Sequence, residues 1–184
     1  MNIPTPFHKF ASPDEQTFCY SALNDWGVNK SRTFYESAVF EAVSLWNDVN
    51  NSFLVYEEAE VGEVAKVTIN INENSGDAYS SGYAIFDESD DDGPIHCDII
   101  VGTDNTYEGF AKTILHEMGH CFGLGHSLIP TAIMSYKLDQ NGFELDLDDI
   151  AAISRLYPAD GSEAQLPLGC GVTNRDNGLP VALF

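Results

Sequence analysis

The sequence predicts a single α/β domain that is followed by a short tail. A β-prone run, a long amphipathic helix and two further β-prone runs follow one another along the first part of the chain. This strand, helix, strand, strand order is typical of an α/β sheet with a right-handed crossover. The 184 residues suit one domain or one domain with a tail, and 43% hydrophobic residues are enough to build a core.

The first half of the chain predicts one helix among several strands. Residues 1–16 contain three prolines and predict an extended entry segment. A helix is predicted from Ser31 to about Val49, because its apolar residues recur at helical spacing. Those residues are Phe34, Ala38, Val39, Ala42, Val43, Leu45 and Trp46. Strands are predicted at 17–23, 52–56, 66–71, 82–86 and 95–101.

The second half predicts two helices around an irregular stretch. The first runs from Glu108 to Leu124, and Leu147 to Tyr157 form the second, with Asp146 or Asp148 as its N-cap. The predicted buried face of the first comprises Phe110, Ala111, Ile114, Leu115, Met118 and Phe122. Residues after Pro158 are rich in turn formers and show no periodic pattern.

The motif H-E-x-x-H-x-x-G-x-x-H lies at the end of the first of these helices. His116 and His120 are one helical turn apart, so both imidazoles project from one face. Gly123 permits a sharp turn that brings His126 round as a third ligand, while Glu117 is placed to reach a metal-bound water. Three neutral nitrogens with an open fourth position indicate a catalytic zinc site. The alternative, ordinary helix histidines, is disfavoured because three of the five histidines fall inside the motif.

The motif resembles that of the metzincin metallopeptidases, which also have a methionine turn downstream. Met134 supplies a candidate methionine eight residues after His126. Ser127, directly after the third histidine, resembles the matrixins, whereas Tyr136 resembles the serralysins and astacins, because matrixins usually have proline there. Residues 148–157 resemble the last catalytic-domain helix of both matrixins and serralysins.

The resemblance implies a metzincin catalytic domain with a defined fold. It has a twisted, mostly parallel five-stranded sheet with an antiparallel edge strand, two long helices and a small irregular lower subdomain containing the methionine turn and a C-terminal helix. The catalytic domain is expected at 1–157, with its upper lobe to about 123 and its lower lobe at 124–157. Residues 158–184 are expected to form a tail packed on or near the domain.

The function implied by the resemblance is that of a zinc-dependent endopeptidase. Glu117 would activate a zinc-bound water, and Met134 would support the metal site from below. Tyr136 would bind zinc at rest and then steady the oxyanion, or would simply pack beside the metal. An extended protein or peptide substrate would add to the edge strand near Gly82–Phe86. The alternative is a catalytically silent or latent zinc-binding module, which would not need the base Glu117.

The strand and the loop that precede the motif raise the question of two further metal sites. Matrixins bind a structural zinc through a histidine of the edge strand, and Ala84 is expected to stand at that position here. His96 could align with another ligand of that zinc, but because the partner ligands are missing it is interpreted as a surface histidine. Residues 87–94 contain five carboxylates. Asp87, Asp90 and Asp92 are candidate calcium ligands, and a solvated acidic loop is the alternative.

Charge and cysteine content restrict the partners and the compartment. A net charge of −21 disfavours nucleic acid and anionic membranes, and a monomer is expected. No signal peptide is visible, and the resemblance implies a secreted or extracytoplasmic protein whose leader is absent from this chain. The four cysteines allow the pairs Cys19–Cys170 and Cys97–Cys121, or free thiols. Cys170 also lies in a Cys-Gly-Val sequence like that of the matrixin propeptide switch, which silences the zinc through a thiolate.

Overall fold

The computed structural model confirms the predicted mixed sheet with two long helices. Its described residues are 17–22, 32–52, 55–59, 65, 67–72, 82–87, 96–102, 106–136, 142–159, 172–174 and 180–182. The sheet strands are β1 (Thr17–Ala22), β2 (Val55–Glu58), β3 (Val67–Asn72), β4 (Gly82–Asp87) and β5 (His96–Gly102). Their order in the sheet is β2-β1-β3-β5-β4. All neighbours are parallel except β4 and β5, so β4 is the antiparallel edge strand that was expected.

Two helices, α1 (Arg32–Asn47) and α2 (Tyr107–Cys121), pack against each other and against the sheet. The Trp46 indole N–H of α1 donates a hydrogen bond to the Leu115 carbonyl of α2 over 3.0 Å. Aromatic rings at the other end of α1, Phe34 and Tyr35, pack edge-on or tilted against Phe110. Burying each such side chain stabilises the fold by about 1.5–3 kcal/mol, so α2 is held firmly at the position that presents the histidines.

The end of α2 differs from the sequence prediction. The helix ends at Cys121, three residues before the predicted Leu124, and Phe122 is its C-cap. Phe122 and Leu124 are buried, so the apolar pattern continues past the last helical turn. Gly123 has a φ of 91°, a left-handed conformation that favours glycine and stops the helix.

The lower part of the molecule is closed by α3 (Leu147–Leu156). Asp146 is its N-cap and forms a capping box with Asp149, as one of the two predicted alternatives. At the other end, the Tyr157 hydroxyl donates to the Phe122 carbonyl over 2.9 Å, which ties α3 to the exit of α2.

The tail contains an element that the sequence analysis did not predict. Strands β6 (Val172–Asn174) and β7 (Pro180–Ala182) form a two-stranded antiparallel sheet. Strands of three residues are too short to produce a periodic pattern, so the sequence carried no signal for them. Within the ranges given above, none of the helices is both long enough and apolar enough to span a bilayer.

Candidate metal centre

Two histidines of α2 and one from the turn that follows it converge on a single point. His116 and His120 lie on the same face of the helix, with ring centroids 4.7 Å apart. After the turn at Gly123, the His126 Nε2 atom lies 3.3 Å from the Nε2 atom of each helix histidine. The three predicted ligands are therefore brought together, with one nitrogen of each facing the others.

Backbone carbonyls orient the two helix histidines. His116 Nδ1 lies 2.7 Å from the Ile133 carbonyl, and His120 Nδ1 lies 2.8 Å from the Leu124 carbonyl. A carbonyl only accepts, so each Nδ1 carries the proton and donates, which leaves the Nε2 lone pair directed into the cluster.

The electrostatics of the cluster keep these rings neutral. Burial lowers the pKa of His116 to about 3 and that of His120 to about 4, and it also lowers the pKa of His126. Near neutral pH all three imidazoles are therefore uncharged and able to donate a lone pair.

This donor set fits a zinc ion. Imidazole nitrogen is a preferred zinc ligand, and no proton must leave before it binds. Two nitrogens bound tetrahedrally to one zinc at about 2.0–2.1 Å lie about 3.3–3.4 Å apart. The two Nε2–Nε2 distances of 3.3 Å that involve His126 agree with this value.

The buried carboxylate of Glu117 lies between α2 and the edge strand. Burial raises its pKa to about 7, and a hydrogen bond from the Ala84 backbone N–H opposes that rise. The strand approaches the helix closely because Gly82 lacks a side chain: a Cβ there would lie 2.6 Å from Thr113 Cγ2 and 3.7 Å from Glu117 Cγ. Neither Gly82 nor Thr113 was predicted to fit the strand to the helix.

The methionine turn lies beneath the histidines and is held by α3. The Asp149 carboxylate, which is buried, accepts hydrogen bonds from the backbone N–H groups of Ile133, Met134 and Asp146 at 2.8, 3.0 and 2.9 Å. Burial raises the pKa of Asp149, and the three donors oppose that rise. The Met134 sulfur lies so close to Gly119 that a Cβ there would overlap it. Met134 thus packs against the helix that presents the histidines.

Comparison with known proteins decides between the candidate families. The family model of the matrixins (peptidase M10) matches residues 12–158. The chain belongs to the matrixin family. Matrixins are zinc metalloendopeptidases, and the histidine triad of this chain could hold such a metal ion. Of the two branches suggested by the sequence, Ser127 pointed to the correct one.

Several matrix metalloproteinases resemble this matrixin over parts of their length. Matrilysin of Rattus norvegicus is 49% identical over 51 residues, 26% of this chain and 19% of that protein. The probable matrix metalloproteinase 095L of Invertebrate iridescent virus 3 is 26% identical over 161 residues, which cover 74% of this chain and 44% of that protein. Macrophage metalloelastase of Oryctolagus cuniculus is 28% identical over 158 residues, which cover 79% of this chain and 33% of that protein. The chain thus spans less than half the length of each of these relatives.

Tyr136, two residues after Met134, lies beside the histidine cluster. Its ring is stacked on the imidazole of His126, with centroids 4.2 Å apart and planes inclined by 30°. The residue is 52% exposed, so one part of the ring covers the histidine and the rest faces solvent.

The expectation that Ala84 stands where matrixins have a structural-zinc ligand stays a prediction, and the structure shows which side of the sheet this residue faces. Gly82 faces Thr113 on the helix side of the sheet, and side chains alternate along a strand, so Ala84 also faces the helix side, where it packs against the core. Tyr83 and Ile85 face outward from β4, and Ile85 pairs in register with Asp98.

His96 belongs to a polar cluster on the outer face of the sheet. Its Nδ1 lies 3.1 Å from the Ala65 carbonyl, and its Nε2 lies 3.2 Å from Asp98 Oδ1, an oxygen that also accepts from the Thr68 hydroxyl. The His96 side chain is 32% exposed, so it is half-buried rather than fully at the surface. Over the part of the chain that the structure describes, the histidine triad is the one group of three or more potential metal ligands.

Some predicted site residues cannot be compared with the structure. Asp90, Asp92, Cys170 and the side chains of Asp87 and Cys19 lie outside the described residues. The sulfur atoms of Cys97 and Cys121 do lie within disulfide-bonding distance, with Cα atoms 5.7 Å apart. This second predicted pair links β5 to the last residue of α2.

Proposed function

We propose that this matrixin domain hydrolyses peptide bonds in extended protein or peptide substrates, with zinc held by His116, His120 and His126. The observation that carries the proposal is the convergence of three neutral Nε2 atoms beside a buried carboxylate, that of Glu117. A pure zinc-binding module would gain nothing from burying this carboxylate, since burial of an acid without a partner charge is costly.

The bound zinc supplies Lewis acidity that polarises the scissile carbonyl and acidifies water. Glu117 takes one proton from the attacking water as its oxygen bonds to the carbonyl carbon, and then delivers that proton to the departing nitrogen as the C–N bond breaks. The products are a carboxylic acid and an amine. A base whose pKa is near 7 suits both proton transfers at neutral pH.

The substrate is proposed to lie along β4. This strand ends the strand order of the sheet, so one of its edges has no strand partner among the described residues. An extended peptide can pair with the free backbone groups of such an edge. Because Ala84 of the same strand donates to Glu117, a substrate on β4 is placed beside the base.

Supporting roles are proposed for three residues around the cluster. Gly123 makes the left-handed turn that returns the chain to the metal, and Met134 packs under the helix that presents the ligands. The Tyr136 hydroxyl is proposed to steady the negative oxygen that forms during attack, since its ring already lies against His126.

The remaining features belong to the wider protein. The proximity of Cys97 and Cys121 supports a disulfide and hence a secreted or extracytoplasmic location. We further propose a catalytic domain at 1–157, a tail at 158–184, a monomer, and calcium at the acidic loop of Asp87, Asp90 and Asp92.

Cleavage of a peptide library, measured with and without a chelator, tests the proposed activity. We expect cleavage that the chelator abolishes and that zinc restores, together with one zinc per chain. The His120→Ala variant should lose both zinc and cleavage. A zinc-loaded protein that cleaves no peptide in the library would instead support the silent or latent module.

A further inference from the structure

The three histidines are not held in the same way. His116 and His120 lie on a helix and each donates from Nδ1 to a backbone carbonyl, which fixes the ring. His126 lies beyond the helix, two residues after Leu124, and its Nδ1 has no hydrogen-bond partner among the described residues. The third ligand therefore lacks the contact that orients the other two.

We propose that Tyr136 is a positioning residue, whose ring orients His126 by stacking in place of the missing hydrogen bond. This inference rests on the proposed role of His126 as a zinc ligand, and it concerns the ring of Tyr136 rather than its hydroxyl. The stacking geometry, with centroids 4.2 Å apart and planes inclined by 30°, restricts rotation of the imidazole about its Cβ–Cγ bond.

The backbone brings the two rings together. Ser127 and Ser135 form an isolated parallel bridge, and the Ser127 N–H donates to the Met134 carbonyl over 2.7 Å. Both rings are attached one residue away from this bridge, His126 before one end and Tyr136 after the other. The methionine turn thus positions Met134 under the helix and, two residues later, the ring that covers His126.

A histidine ligand that is already held in its binding orientation should lengthen the time for which the zinc stays bound. An aromatic pair contributes enough to change an equilibrium or a rate by about 2- to 13-fold. Loss of the ring should leave His126 free to rotate away from the metal, and the zinc should then dissociate faster by a factor in that range.

The test compares Tyr136→Phe, which keeps the ring, with Tyr136→Leu, which removes it. The measurement is the rate at which zinc passes from each purified, zinc-loaded variant to an excess of a colorimetric chelator. Tyr136→Phe should release zinc at the wild-type rate, and Tyr136→Leu about 2- to 13-fold faster. The visible spectrum of the cobalt-substituted protein should change for Tyr136→Leu alone. Phe40→Leu, which removes an exposed aromatic ring on α1, is the control and should release zinc at the wild-type rate.

Each result distinguishes the possibilities. Wild-type zinc release from Tyr136→Leu would overturn the proposal, and so would release from Tyr136→Phe as fast as from Tyr136→Leu, because the hydroxyl would then hold the site. Thermal unfolding of the metal-free variants shows whether a substitution destabilises the fold as a whole. If the ring acts by stacking on His126, the rate of zinc release should change more than the melting temperature. If the histidines were not the zinc ligands, His120→Ala would retain one zinc per chain, and this result is separate from the results for Tyr136.

Discussion

Replacing Asp149 with asparagine should weaken the methionine turn and the anchor of the first histidine together. One carboxylate oxygen accepts from the N–H groups of Ile133 and Asp146, and the other accepts from Met134. The Ile133 carbonyl in turn orients His116. A single buried side chain therefore connects α3, the methionine turn and a proposed zinc ligand.

The magnitude follows from the three hydrogen bonds. Asparagine has one acceptor oxygen, which can serve the two donors on one side, but its amide group then faces the Met134 N–H. A buried donor without an acceptor costs about 1–3 kcal/mol, so we expect a loss of about 2 kcal/mol in the free energy of unfolding. For a domain of this size that corresponds to a fall of about 4–8 °C in melting temperature.

The assay is urea and thermal unfolding of the zinc-loaded protein, with Asp148→Asn as the control. Asp148 undergoes the same change of charge but, among the described contacts, accepts only from the Ser127 hydroxyl, so about 1 kcal/mol or less is expected. Asp149→Asn should also release zinc faster, because the Ile133 anchor of His116 shifts. Equal stability of the two variants would refute the reasoning.

Three further results are expected. Gly82→Ala should push β4 away from α2 and reduce peptide cleavage, and adding Thr113→Ser, which removes the obstructing methyl group, should restore part of it. Unchanged cleavage by Gly82→Ala would count against the close strand–helix contact. Burial lowers the pKa of both helix histidines, so below about pH 6.5 these histidines are protonated in the unfolded chain but remain neutral in the folded chain. The metal-free protein should therefore lose up to about 1.4 kcal/mol per pH unit for each histidine as the pH falls from about 6.5 to 4, whereas a flat urea-unfolding profile would contradict this. Calcium should raise the melting temperature, and Asp90→Asn with Asp92→Asn should abolish the rise; no response to calcium would favour a solvated loop.

Much of the fold was predictable because the spacing of apolar residues along the sequence indicates which side chains are buried. The expected buried face of α2 is buried at all six positions, since residues three and four apart share one side of a helix. The helix end was predicted less well, because Phe122 and Leu124 continue the apolar pattern although Gly123 has already turned the chain.

The candidate site was predicted as a set of ligands but not as an organised centre. The motif indicated the three histidines and Glu117, since its spacing reflects the geometry of a helix and a turn. The groups that orient them belong to the backbone, which the identity of a residue does not indicate. The carbonyls of Ile133 and Leu124 accept from two of the rings, and the Ala84 N–H donates to Glu117. The contacts of Ile133 with His116 and of Ala84 with Glu117 depend on where separate segments meet, which one sequence alone does not reveal.

The most direct test of the account is the peptide-cleavage rate of zinc-loaded Glu117→Gln. Glutamine keeps an oxygen that can accept from the Ala84 N–H, but it cannot take the proton of the attacking water. We expect the variant to retain one zinc per chain and to cleave peptides at least ~100-fold more slowly than the wild type, the lower range of general-base effects. Cleavage near the wild-type rate, with zinc fully bound, would contradict the assignment of Glu117 as the base.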